Sequence, residues 1–216
     1  MTIFFPSIVT NGLVLCLDAG NQLSYPGTGT TWNDLSRNGN NGTLTNGPVF
    51  NSGGSMVFDG VNDYCAFNYY PSDIVSVSVW MNLANAGNFP IILAGDSTQY
   101  QSSLWKWSMF SYSNNFYIRG NAGELGNINT PTSTLVNKWT NWVLIRNDGN
   151  NNCRAYKNGI LFGSSNETSS ENAALSLGKG GNYYNGNISQ VLIYNRALTS
   201  QEIFSNYLAT KGRYKL

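Results

Sequence analysis

The stretch ISQVLIYNRALTSQEI, from Ile188 to Ile203, changes its period half-way. Ile188, Gln190, Leu192 and Tyr194 alternate with Ser189, Val191 and Ile193, the two-residue repeat of a β-strand. Both alternating sets carry apolar residues, which predicts a central strand covered on each face. Asn195 and Arg196 turn the chain. Thr199 then stands three residues before Glu202, the spacing of a capping box, and Leu198 and Ile203 are placed as its hydrophobic staple. Such a cap is worth about 1 kcal/mol. Beyond it, Ile203, Phe204, Tyr207 and Leu208 mark one apolar face of a helix of about two to three turns, with Gly212 placed to end it. A helix this short does not persist alone in water, so it must lie against the sheet.

Upstream the period stays near two. Leu13, Leu15 and Leu17 alternate, as do Met56 and Phe58. Val75, Val77, Val79 and Met81 form one side of a strand whose other side is Ser76, Ser78 and Trp80. Trp105, Trp107 and Met109 share a side, and KWTNWVLIRND (138–148) reads as a buried strand. Asn158-Gly159 is the pair a type I′ hairpin requires. Gly, Asn and Ser separate the strands and no helical pattern interrupts them. The expectation is an all-β fold, an antiparallel β-sandwich of two packed sheets with one short C-terminal helix. Its parts are an N-terminal arm (1–11), the sandwich (12–198), and the capping helix with its tail (199–216). The segment from Ser24 to Gly54 reads as a long loop-rich excursion pinned by Trp32 and Leu35.

Composition narrows the functions. The 216-residue chain has no histidine, three scattered cysteines and 11% charged residues, against about 25% charged in an average domain. Without histidine, the commonest general base and transition-metal ligand is missing. Cys16, Cys65 and Cys153 contain no CxxC pair, which argues against a zinc site or a disulfide framework. A formal net charge of +1 provides no electrostatic footprint for nucleic acid. The N-terminus lacks a basic n-region and a long apolar run, so neither a signal peptide nor a membrane span is expected there. The sequons at Asn41, Asn166 and Asn187 read as accidents of an Asn-rich composition.

Several segments together resemble the laminin-G-like, concanavalin A-like lectin/glucanase jelly-roll domains. They are GLVLCLDAG (12–20), WNDLSRNGNNGTLTNG (32–47), FDGVNDY (58–64), SVSVWM (76–81), KWTNWVLI (138–145), AYKNGIL (155–161) and the closing ISQVLIYNRALTSQEI. YPGTGTTWNDLS (25–36) and NYLATKGRYKL (206–216) further resemble single-domain versions found in tailed-bacteriophage virion proteins. The resemblance implies a jelly roll and a non-enzymatic structural virion protein, either a capsid decoration or a tail-fibre or baseplate-associated module. The alternative it implies is a carbohydrate-binding module for attachment to host-surface glycans. Its partners would be other virion proteins, a glycan, or further copies of the chain, with no nucleic acid and no membrane.

Candidate site residues follow from residue chemistry. Glycoside hydrolysis requires two carboxylates flanking the bond, and no strand carries Glu at i and i+4. Glu124, Glu167 and Glu171 fall in loop sequence and Glu202 belongs to the cap, so no catalytic residues are assigned. No cofactor is expected. Calcium is the one ion with a candidate oxygen set, Asp34 with Asn38 and Asp59 with Asp63, and the favoured reading of both is Asx-turn capping. Tyr69, Tyr70 and Tyr100 are the candidate sugar-stacking residues, with Trp105 and Tyr183 beside them in kind. Ile3, Phe4 and Phe5 are the candidate interface: an apolar arm outside the jelly-roll segments, interrupted by Pro6, which cannot donate to a sheet ladder. The alternative for this arm is that it folds back on its own sandwich.

Overall fold

The predicted closing strand spans Asn185–Tyr194 and is the hub of the molecule. The computed structural model of the chain describes residues 6–67, 76–95, 105–119, 128–146, 153–165 and 175–216. On one side the hub pairs with Ser76–Leu83, followed by Thr140–Ile145, Cys153–Lys157 and the edge strand Ile160–Ser165. On the other side Leu13–Asp18 pairs with its later half and Ser55–Asp59 with its earlier half, followed by Val49–Asn51. The second sheet runs Ile128–Pro131, Asn115–Arg119, Trp105–Tyr112, Phe89–Gly95, Leu175–Leu177, Tyr64–Phe67, Gly42–Thr45 and Thr31–Trp32. Among the described residues each of these two sheets has eight strands, a separate two-stranded hairpin pairs Lys179–Gly180 with Asn182–Tyr183, and the ladders run antiparallel. The expected sandwich with one short C-terminal helix is the fold of this chain.

Alternation decides which side chains meet between the sheets. Val77, Val79 and Met81 point inward with Leu15, Leu17, Trp142, Leu144 and Ile193. Each such side chain, fully buried, contributes about 1.5–3 kcal/mol. On the opposite face Val143, Ile145, Tyr156, Leu192 and Tyr194 form a second cluster with Leu198 and Ile203. Two expected alternations break. The register shifts between Ile188 and Gln190, so Ile188 joins Val191 and Ile193 between the sheets rather than Leu192 and Tyr194. It shifts again between Leu13 and Leu15, which puts Leu13 under the helix while Leu15 and Leu17 stay inside. A β-bulge inserts one residue and therefore exchanges the faces of everything beyond it.

The helix spans Ser200–Thr210. Its capping box is complete: Glu202 N–H donates to Thr199 Oγ1 at 3.2 Å, and Thr199 N–H donates to Glu202 Oε2 at 2.8 Å. Two details differ from expectation. The buried positions are Ile203, Asn206 and Thr210, whereas Phe204 is 44% exposed. The sheet surface beneath offers polar partners, so polar residues are taken inward. Asn206 Nδ2 donates to Tyr194 Oη at 3.0 Å, and Trp80 Nε1–H donates to Thr210 Oγ1 at 2.9 Å. Nor does Gly212 end the helix; the chain tightens into a 3₁₀ turn over Lys211–Tyr214, and the left-handed residue is Lys215. That turn seats Tyr214, whose ring stacks on Trp80 with centroids 3.9 Å apart.

The excursion from Ser24 to Gly54 is not all loop. It contributes the short strands Thr31–Trp32, Gly42–Thr45 and Val49–Asn51, with Trp32 fully buried and Leu35 partly buried. Asn158 and Gly159 both have positive φ, 51° and 80°, as a type I′ turn demands. Of the arm, residues 6–11 carry no strand and lie on the domain itself. Ile8 and Val9 pack on the cluster beneath the helix. Val9 N–H donates to Asn206 Oδ1 at 2.8 Å, and Tyr194 Oη donates to Val9 O at 3.0 Å. For these residues the folded-back alternative describes the structure, and Ile3, Phe4 and Phe5 lie outside the described residues. Among the described residues no helix is long and apolar enough to cross a membrane.

Candidate functional site

The carboxylates named above hold the chain's own backbone. Asp34 Oδ1 accepts the N–H groups of Cys16 and Ser36, both at 2.8 Å. Its Oδ2 accepts Ser36 Oγ at 2.7 Å and Asn40 N–H at 3.0 Å. All four acceptor positions of a carboxylate are thus engaged by donors, and the group does not fit a calcium ion. Asn38 Nδ2 donates to Leu13 O at 3.2 Å and Ser36 Oγ at 2.9 Å, tying the loop to the first strand. Asp59 Oδ1 accepts Val61 N–H at 2.8 Å, and Asp63 Oδ2 accepts Asp59 N–H at 3.1 Å. The first is the bond of an Asx turn, and the second clamps the turn from its far side by holding the Asp59 N–H four residues back. The N–H of Val61 holds the Asp59 carboxyl below the usual range, while burial, reinforced by the charge of Asp59, pushes Asp63 up. Calcium takes six to eight oxygens, and among the described residues no three Cys, Asp or Glu side chains converge.

Other reactive groups are similarly engaged. Glu202 takes the Arg196 guanidinium at 3.0 and 2.6 Å, which pulls its carboxyl down to about 2, with Thr199 helping and burial opposing. Cys16, Cys65 and Cys153 are buried, and burial pushes the Cys16 thiol up to about 12, with Asp18 and Asp34 adding to it.

Of the sugar-stacking candidates, Tyr69, Tyr70 and Tyr100 lie outside the described residues, and so does the side chain of Trp105. Tyr183 lies in a cleft of about 410 Å³ at one end of the sandwich. Three loops converge there: the turn after Ser55–Asp59, the loop after Ser76–Leu83, and the small hairpin of Lys179–Gly180 and Asn182–Tyr183. Asn85, Asn88, Asn182 and Asn185 line the same cleft as the tyrosine. Asn182 Nδ2 donates to Asn88 O at 3.0 Å, joining two of the loops. Asn85 Oδ1 accepts Gly87 N–H and Asn88 Oδ1 accepts Ser113 N–H, so each amide oxygen is engaged by backbone. The backbone closes tightly behind: a Cβ on Gly60, at φ +79°, would stand 2.8 Å from Asn185 Cβ. The amides were missed in the sequence because Asn reads everywhere as a turn residue. Their only local signal is the density of Asn around Tyr183 in GNYYNGN (181–187).

The family model of the concanavalin A-like lectin/glucanases superfamily matches residues 59–204. The chain belongs to this superfamily. No curated protein sequence matches this lectin-like chain. Among solved structures, the botulinum neurotoxin serotype D binding domain is similar with a TM-score of 0.71 and 14% identity, over 94% of this chain and 53% of that one. Trypanosoma rangeli sialidase in complex with the inhibitor DANA is similar with a TM-score of 0.70 and 18% identity, over 96% of this chain and 34% of that one. This chain therefore spans about half of the toxin domain and a third of the sialidase. Likeness at such identity establishes the concanavalin A-like fold alone, a fold held in common by an enzyme and by a binding domain.

Proposed function

We propose that this chain is a non-catalytic, lectin-like module that binds a neutral glycan in the Tyr183 cleft. The observation that carries the reading is the lining itself: four asparagines in the same cleft as one half-exposed tyrosine, with no charged side chain among them. Sugar recognition combines an apolar ring face with a few fixed polar groups, and amides offer both donors and acceptors to hydroxyls. Among the described residues the side chain of Asn185 and the hydroxyl of Tyr183 have no hydrogen-bond partner, which favours their use toward a ligand. Lack of catalysis is supported by the same lining, which among the described residues contains no carboxylate, whereas glycoside hydrolysis uses two. Glu124, Glu167 and Glu171 lie outside the described residues.

The setting we propose is the particle of a tailed bacteriophage, with Ile3, Phe4 and Phe5 facing a neighbouring virion protein. Its support is the sequence resemblance at residues 25–36 and 206–216 and a surface made polar by Asn, Ser, Thr and Gly rather than by charge. A glycan array tests the binding function: neutral glycans should be retained by the wild-type chain and lost in Tyr183→Ala. An array with no hits, or hits unchanged by that substitution, would overturn it. Mass spectrometry of purified particles tests the setting, and absence of the chain from them would reject it.

A further inference from the structure

A second groove, of about 470 Å³, lies where the loop after Leu13–Asp18, the turn before Ser55–Asp59 and the C-terminal 3₁₀ turn meet. We infer that it binds the acidic group of an anionic saccharide, with the Arg213 guanidinium as its anchor. Arg213 and Asp18 form an unequal pair. The Asp18 side chain is 6% exposed and that of Arg213 is 42% exposed. Asp18 is held from behind: its Oδ2 accepts Gln190 Nε2 at 3.1 Å, and its Oδ1 accepts Gly20 N–H at 3.0 Å as well as Arg213 Nη1 at 2.5 Å. The buried carboxylate thus fixes the guanidinium through Nη1, the Tyr214 side chain is its second partner within the chain, and the exposed remainder of the fork lines the groove. A planar guanidinium receives a carboxylate or sulfate by paired, charge-assisted bonds.

The walls fit the rest of a sugar. Phe50 is half-buried and packs on Tyr25, centroids 5.3 Å apart, presenting a supported ring. Gln22 and Ser52 are exposed at the rim, and among the described residues their side chains have no hydrogen-bond partner. Gly53 and Gly54 keep the turn low, and a Cβ on Gly54 would meet Gly20 Cα at 2.8 Å. This site is separate from the Tyr183 cleft and does not depend on it. Gly54 and Gly60 flank the two ends of the strand Ser55–Asp59, about 20 Å apart for an extended chain.

Isothermal titration of the full chain with methyl β-D-glucuronide and with methyl β-D-glucoside tests the inference. The uronide should bind at least tenfold more tightly than the glucoside, and 0.5 M NaCl should weaken it severalfold. Arg213→Gln should abolish the difference. Because that change leaves Asp18 buried without its cation, Ser52→Trp serves as the second variant. It fills the groove without touching the ion pair, and should abolish uronide binding at an unchanged melting temperature. Equal affinities for the two glycosides would overturn the inference. So would uronide binding that survives Ser52→Trp, or that is lost in Tyr183→Ala while both groove variants retain it.

Discussion

The loop around Asp34 and the cleft around Tyr183 are built from the same kinds of residue and use them in opposite ways. In the first, the carboxylate of Asp34 gathers two backbone N–H groups from its own loop and one from the first strand, together with the hydroxyl of Ser36. In the second, each of Asn85 and Asn88 commits its side-chain oxygen to one backbone N–H, and the side chain of Asn185 has no hydrogen-bond partner among the described residues. A polar side chain with every position filled by the chain stabilises the fold. One with positions left over, beside an aromatic ring and at the solvent boundary, can exchange water for a ligand. The number of internal partners, not the residue type, separates scaffold from site.

The sharpest way to break this contrast is Asp34→Ala. Hydrogen bonds to a charged group are worth about 1.5–3 kcal/mol each when well shielded, and Asp34 is only partly buried. We expect a loss of about 3 kcal/mol in chemical denaturation, and a melting temperature lower by about 6–12 °C in a domain this size. A change within 1 °C would place Asp34 among the uncommitted residues. Next is Asn206→Leu, which removes the bonds to Val9 and Tyr194 beneath the helix. It should cost about 2 kcal/mol and should raise hydrogen exchange in residues 6–11, because their anchor is the same side chain.

Glu202→Gln sharpens the comparison by pH. The folded-state pKa of Glu202 is pulled down to about 2 from 4.5. A carboxylate with a lowered pKa adds stability that is fully present above its unfolded pKa and disappears as pH falls through the folded one. The variant should therefore be less stable by about 1 kcal/mol near neutral pH, and the gap should close between about pH 4.5 and 2. A gap constant over that range would show that the ion pair with Arg196 contributes nothing. The smallest effect on stability belongs to the cleft. Asn185→Ala should leave the unfolding free energy within about 0.5 kcal/mol while weakening glycan retention on the array. If it destabilises the protein by more than Asn206→Leu does, Asn185 is scaffold and the contrast fails.

Much of the architecture is legible in the residues because local chemistry and global fold agree. Thr199 and Glu202 form a capping box from neighbours three positions apart, and Asn158-Gly159 adopts the two positive φ angles its turn type needs. Both are short-range features that require nothing from the rest of the chain. Ile188 and Leu13 are misread for the opposite reason. A bulge is set by how two distant strands register, and one inserted residue reverses a face without any mark in either strand alone. The buried face of the helix is misread similarly. Asn206 and Thr210 go inward because Tyr194 and Trp80 wait there with polar atoms, and helical periodicity counts only apolar residues.

By itself the sequence determined an antiparallel sandwich closed by one capped helix, because strand alternation, turn residues and caps act over two to four positions. It also determined which chemistries are missing, since a chain without histidine cannot supply an imidazole. Only the tertiary structure decided which polar groups are left over. Tyr183 meets Asn85 from a segment about a hundred residues earlier, and Arg213 meets Asp18 from the far end of the chain. Whether an amide or a guanidinium is free depends on what the rest of the chain brings within about 3 Å of it, and that distance is set by packing.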